Sequence, residues 1–245
     1  ELGRLLYFDK RLSGDDTISC ATCHDPKEGW AETDQTSLGI HEQRGPRNAP
    51  TVLDSAYYQL MFWDGRAASL EEQALGPIEN PKEMGMDMGN LLGKLDKLDG
   101  YKAHFKAVFG DDKITPERIG QAIASFERMV VSGPSPFDLF LMGKTSALSA
   151  SQVKGLELFL TKANCLSCHR GPFLTTEAFR PTFLPGHDTG RAEVTKKESD
   201  KGLFRTPTLR NVALTPPYFY DGSEPSLEAA VFHRANRAKL SDFRA

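Results

Sequence analysis

Apolar positions along this chain recur at spacings of three and four residues, which is the period of a helix with one buried face. The opening stretch, ELGRLLYFDKRLS, already reads as an amphipathic helix. Ser69 with Glu72 forms a capping box ahead of LEEQAL. Asn90 precedes LLGKLDKL, and Thr115–Pro116 opens ERIGQAIASFERMVV with Pro at the favoured first position. Within that last segment Ile119, Ile123, Phe126 and Val130 share one face. Ser149 with Gln152 caps a further helix. Segments 133–148 and 181–202 are rich in Pro, Gly and charge and read as loops. No sustained period-two alternation marks a strand. The pattern predicts a mainly α chain with much irregular loop.

The pattern also repeats. LGRLLYFDKRLSGDDTISCATCH parallels VKGLELFLTKANCLSCH: a helix, a Phe, a polar loop and a cysteine pentad. RNAPTVLDSAYYQLMFWDGRAASLEEQAL parallels RTPTLRNVALTPPYFYDGSEPSLEAAV. Both copies carry a Pro-Thr turn, an aromatic pair, Asp-Gly, and Ser-Leu-Glu at the start of a helix. The repeat predicts two copies of one domain, divided near Gly133–Pro136: residues 1–133 and 134–245. The helix at 115–131 lies before the second pentad and could pack on either half.

Composition narrows the function. Of 245 residues 39% are hydrophobic, enough for a sizeable core. No run of roughly 18 apolar residues suggests a membrane span. The formal net charge of −3 gives no reason to expect nucleic acid as a partner. No leader pattern precedes the first helix, so the chain is expected to begin inside a mature protein.

The cysteines carry the chemistry. All four lie in two Cys-x-x-Cys-His pentads, Cys20/Cys23/His24 and Cys165/Cys168/His169. Two disulfides would need an oxidising setting, and Cys-x-x-Cys can also be a redox pair. One zinc held by two knuckles would have to join sites far apart in sequence. The pattern that uses every Cys and both adjacent His residues is covalent haem c, with thioethers from the thiols and iron on the His. Two such groups predict a haem in each half, with the porphyrin supplying part of each core. Haem c is generally attached outside the bacterial cytoplasm, so a periplasmic location is expected.

LGRLLYFDKRLS, GPRNAPTVLD, FWDGRAASLEEQALGPIENPKEM and FRTPTLRNVALTPPYFYDG together resemble the bacterial dihaem cytochrome c peroxidases and their MauG-type relatives, over nearly the whole chain. The resemblance implies that the first haem reacts with hydrogen peroxide. The second would accept electrons from a small cytochrome c or cupredoxin. Glu83 would be the carboxylate over the first iron and Gln73 a polar neighbour for bound peroxide. Pro77 would shape that pocket, and Trp63 would stand between the haems. Trp30 would pack near a haem edge. His41 would be the removable ligand that caps the first iron in the oxidised resting state, a residue that MauG-type proteins lack. Asn48, with the carbonyls of Thr215 and Pro217, would hold a calcium ion at the domain junction. Relatives commonly form homodimers.

The second haem departs from the pattern. The family places Met or Tyr where this chain has Arg234, and Arg stays protonated and cannot ligate iron. His233 beside it is the nearest competent ligand; the alternative is an iron with an open sixth position. Arg191 and Arg205 would suit haem propionates. His104 and His187 are read as surface or packing residues.

Two readings stay open beside the peroxidase: a MauG-type enzyme that oxidises residues of a partner protein, and a non-enzymatic dihaem electron carrier or sensor.

Overall fold

A computed structural model describes the backbone of residues 1–241 and the side chains through residue 236. The helices are α1 (Leu2–Phe8), α2 (Cys20–Cys23), α3 (Leu70–Glu79), α4 (Met88–Asp96), α5 (Asp99–Phe109), α6 (Pro116–Glu127), α7 (Pro136–Leu141), α8 (Ala150–Leu160), α9 (Ala192–Thr195) and α10 (Leu227–Ser241). Two three-residue strands, β1 (Phe179–Pro181) and β2 (Leu203–Arg205), pair antiparallel with Phe179 opposite Arg205. Single 3₁₀ turns and loops fill the rest.

The main core lies in the first half, where α6 packs across α1 and α3. Leu6, Tyr7, Ile78, Leu91, Leu95, Phe105, Ile119 and Ile123 are all fully enclosed there. Burial of a side chain of this size is worth about 1.5–3 kcal/mol. This packing places α6 with the first half. Gly3 makes the α1–α6 crossing possible, because a Cβ there would fall 1.8 Å from the Ala122 carbonyl oxygen. Gly3→Val is therefore expected to destabilise the holoprotein by about 1–3 kcal/mol, read as a lower denaturant midpoint. An unchanged midpoint would mean that the crossing relaxes freely.

Helix starts follow the sequence closely. Thr115 accepts from Arg118 N and Ser149 from Gln152 N, while Gln152 returns a bond to Ser149 N. Ser69 accepts from Glu72 N, but Glu72 reaches Ala68 N in place of the cap residue. Two expectations shift. α4 begins earlier than Asn90, because the Asp87 carboxylate caps it by accepting Asn90 N. The stretch read as a loop at 133–148 contains α7, whose Ser135/Asp138 capping box precedes Phe137, Leu139 and Phe140. The small sheet is too short for alternation to announce it.

The two halves share a backbone construction. Thr51 Oγ1 donates to Gly29 O and accepts from Leu53 N; Thr208 Oγ1 donates to Phe173 O and accepts from Arg210 N. Asp54 and Asn211 both sit at positive φ ahead of a 3₁₀ turn. Phe62 and Phe219 share a left-handed conformation, inside the equivalent bridges Met61–Ala67 and Tyr218–Glu224. Ser132, at the crossover, donates to Asp54 Oδ2 and accepts from Asn211 Nδ2. One hydroxyl thus joins the matching turns of both halves.

The packing is not symmetric. α8 corresponds to α1 in the repeat, yet no residue of α8 is buried. Gly155, the counterpart of Gly3, has nothing within 4 Å of a built Cβ.

Candidate haem sites and the cavity of the first half

The first pentad lines a cavity that opens to solvent. Cys20, Cys23 and His24 share its lining with Gln73, Pro77, Glu83 and Met84. Met61, Leu70, Ala74 and Ile123 add apolar lining, and Trp63, Asn48, Arg47, Arg66 and, from the second half, Arg205 also line it. Residues far apart in sequence thus line one cavity.

Electrostatics in the cavity suit haem c. His24 Nδ1 is enclosed and has no hydrogen-bond partner. Burial, opposed by the carbonyls of Trp30 and Pro50, pushes the ring down to about 4, so it is neutral as iron ligation demands. Burial also pushes the Cys23 thiol up to about 12 and raises that of Cys20. Both are the reverse of the acidic thiols of a redox pair. All four cysteines are free. A neutral imidazole, two paired thiols, an apolar lining and an unpaired guanidinium fit a covalently held porphyrin with carboxylate arms.

Glu83 is placed by Asn80. Asn80 Nδ2 donates to Glu83 Oε1 at 2.8 Å, its Oδ1 accepts Lys82 N, and its carbonyl accepts both Glu83 N and Gly85 N. Burial raises the Glu83 carboxyl above its ordinary value, against the charge of Arg66 and the Asn80 bond. Pro77 lies inside α3 and cannot donate to the Gln73 carbonyl one turn earlier. Trp63 Nε1 donates to Asn48 O, and Trp63 O accepts Arg205 N. The indole thus lines the cavity, while the residue's backbone is bonded to the second half. Trp30 packs against Tyr7 and Phe126 and does not line the cavity.

His41 lies elsewhere. It sits at φ 54° in the turn Ile40–Glu42, with its side chain 68% exposed and Nδ1 3.8 Å from Asp15. That turn nevertheless touches the Glu83 loop: Ile40 N donates to Glu83 O, and a Cβ at Gly39 would meet Lys82 O at 2.1 Å.

The second pentad occupies the 3₁₀ turn Cys165–Ser167. His169 Nδ1 lies 3.0 Å from Leu174 O, a contact that fixes the ring's orientation and would leave Nε2 to hold a metal. Burial lowers its basicity, with Arg234's charge adding to the effect and the Leu174 and Pro207 carbonyls opposing it. His233 Nε2 lies 3.1 Å from Thr182 O and its Nδ1 3.3 Å from Glu224 Oε1, so in this structure the ring braces a loop. Arg234 donates to Pro181 O beside it.

Asn48 is held at the junction by Tyr220 O, which accepts its N–H, and by Asp34 O, which accepts from Nδ2. Thr215 packs against Gly29. Among the described residues no group of three or more His, Cys, Asp or Glu side chains is placed to hold a metal ion, so a cation here would rest on neutral oxygens.

Residues 1–146 match the family model described as di-haem cytochrome c peroxidase. The chain belongs to that family. It is 43% identical to the cytochrome c551 peroxidase of Nitrosomonas europaea, over 94% of this chain and 71% of that protein. It is 39% identical to the methylamine utilization protein MauG of Methylophilus methylotrophus, over 97% and 72%. A solved MauG-like protein associated with microbial copper homeostasis superposes with a TM-score of 0.85 at 31% identity, over 94% and 74%. Family membership implies two haem groups.

Three residues matter that the motifs did not bring forward. Asn80 orients Glu83. Glu127 is buried in the cavity wall, is pushed up to about 8 by burial, and leaves Oε2 without a partner. Arg47 joins the halves, bonded to Asp64 and to Asp188. Glu127 was visible in principle, since it continues the i, i+4 stripe of Ile119 and Ile123 and is the one charged group on it.

Proposed function

We propose that this chain is a di-haem peroxidase that reduces hydrogen peroxide to two waters, with electrons from a small cytochrome c or cupredoxin. The convergence of Glu83, Gln73 and Pro77 with His24 in the lining of one cavity carries this reading. His24 with Cys20 and Cys23 would hold the first haem, and His169 with Cys165 and Cys168 the second. The haem would bind peroxide and pass electrons to it. Glu83 does the proton work: it takes the proton from the inner peroxide oxygen and returns it to the outer one, so that water leaves. Asn80 keeps the carboxylate aimed, and Gln73 steadies the peroxide by hydrogen bonding. Trp63 lies on the route between the halves. Residues 1–133 and 134–245 are the two haem units.

His41 would act as a removable cap, moving with the turn that contacts the Glu83 loop. A calcium on Asn48, Thr215 O and Pro217 O would tie the halves together. No helix among the described residues is long and apolar enough to cross a membrane, and thioether chemistry favours the periplasm.

A second reading, oxidation of a partner protein's residues in the MauG manner, is favoured by the position of His41 outside the cavity. Absorption and EPR spectra of the holoprotein, oxidised and then reduced by one electron, decide between them. A first haem that is low-spin when oxidised, turns high-spin on reduction of the second, and stays low-spin only while His41 is present supports the peroxidase. A first haem that is high-spin at rest, with His41→Gly unchanged, favours the second reading.

A further inference from the structure

Three guanidinium groups line the first cavity, and only one is unsatisfied. Arg47 is neutralised by Asp64 and Asp188, and Arg66 pairs with Asp64 while lying over the Phe62 ring. Arg205 is only 5% exposed, yet its Nη1 has no hydrogen-bond partner, and among the described residues no carboxylate pairs with it. Its Nε reaches only the Phe62 carbonyl at 3.4 Å, and its plane lies over the Tyr58 ring at 4.1 Å. A buried cation left in this state is costly unless an anion meets it. Arg191, the other candidate for such a role, is already committed: its Nη1 donates to the carbonyls of Asp64 and Gly65.

Arg205 enters the cavity from the second half, on β2. Its backbone is held by Trp63 O. The next residue, Thr206, is locked by three bonds: its N and Oγ1 donate to Ala178 O, and its carbonyl accepts Thr175 Oγ1. Arg205 is thus anchored by the first half at its own backbone and by the second half at its neighbour Thr206.

We propose that Arg205 pairs with a propionate carboxylate of the first haem, so that the second half of the chain supplies the counter-charge that sets the first haem's redox poise. This rests on the haem reading above. Arg205 is a positioning residue: it touches a haem arm and no reacting atom.

The test uses holoprotein with Arg205→Met and Arg205→Lys, and reads the propionate-bending band in resonance Raman together with the reduction potential of each haem. In Arg205→Met the first haem's propionate band moves to that of an unpaired carboxylate. Its equilibrium shifts toward the oxidised form by about tenfold, because the cation that offset the carboxylate is gone. The second haem's potential holds, and Arg205→Lys retains most of the wild-type potential. An unmoved band and potential, or equal shifts at both haems, would overturn the pairing. If Arg205→Met does not mature, Arg205→Lys decides alone: losing the planar fork must move the band, and an unmoved band sinks the proposal. Absence of haem at the first pentad in wild type would instead remove the functional reading itself.

Discussion

Glu83→Gln is expected to lower peroxide turnover about 10²–10⁴-fold, the usual contribution of a positioned acid–base group. The amide keeps the shape of the side chain and can still bond to Asn80, but it cannot carry a proton from one peroxide oxygen to the other. Both haems should remain attached, and their spectra should be nearly unchanged. The pH profile adds a sign. Burial holds the Glu83 carboxyl above its ordinary value, and the base is active only when ionised. Turnover in wild type should therefore fall as pH drops, with its acid limb above the ordinary range near 4.3. That limb should disappear from the residual activity of Glu83→Gln. Asn80→Ala should lower turnover less and move the limb further up, because one bond that favours the carboxylate is lost. If Glu83→Gln turns over at the wild-type rate, the proton route assigned here is wrong.

The helical frame was legible because its signals are local. Thr115–Pro116 and Ser149/Gln152 act within a single turn, so capping chemistry alone locates α6 and α8. α7 was missed because Pro and Gly around it outweighed a capping box that was present in SPFD. The duplication was legible too, and its deepest expression is geometric: the same Thr hydroxyl bonds and the same left-handed aromatic recur in both halves. The site was legible only where a motif fixes a role. Nothing local reveals that Asn80 serves Glu83 or that Arg205 reaches the opposite half, since both facts depend on how distant segments meet. His233 shows the converse. Adjacency to Arg234 in sequence suggested a ligand, but its helix turns the ring toward Glu224 and Thr182. His41 shows a third case, in which a turn at positive φ holds the side chain outward while its backbone stays bonded to the Glu83 loop.

Arg47→Met is expected to destabilise the holoprotein by about 3 kcal/mol at neutral pH, the low end of the cost of removing one partner from a buried ion pair. Arg47 bonds Asp64 at 2.6 Å, and bonds Asp188, across the junction, through Nε and Nη2 at 2.8 and 2.9 Å. Asp64 is 4% exposed as a side chain, so it cannot turn to water when the guanidinium is removed. Methionine fills much of the volume but removes the cation shared by two carboxylates, leaving Asp64 with Arg66 alone and Asp188 without its guanidinium. Lys is expected to rescue only in part, because a single ammonium cannot form the fork to Asp188 and reach Asp64 together. The effect should depend on pH in a stated direction. Burial alone would raise Asp188, but Arg47 and Gly190 N–H bring it below its ordinary value. A group lowered in this way contributes stability above its unfolded value, near 3.9, and that contribution is lost as pH falls through the lowered one. In Arg47→Met the burial effect is opposed only by Gly190 N–H and the Arg66 charge, so Asp188 rises and the variant protonates first. The gap between wild type and variant should therefore be widest near neutrality and narrow as acid neutralises the carboxylates in both proteins. Denaturant titrations by circular dichroism at neutral and acid pH measure this gap. A gap that is constant with pH would mean that Arg47 acts by packing on the Phe204 ring, 5.6 Å away, and not by charge.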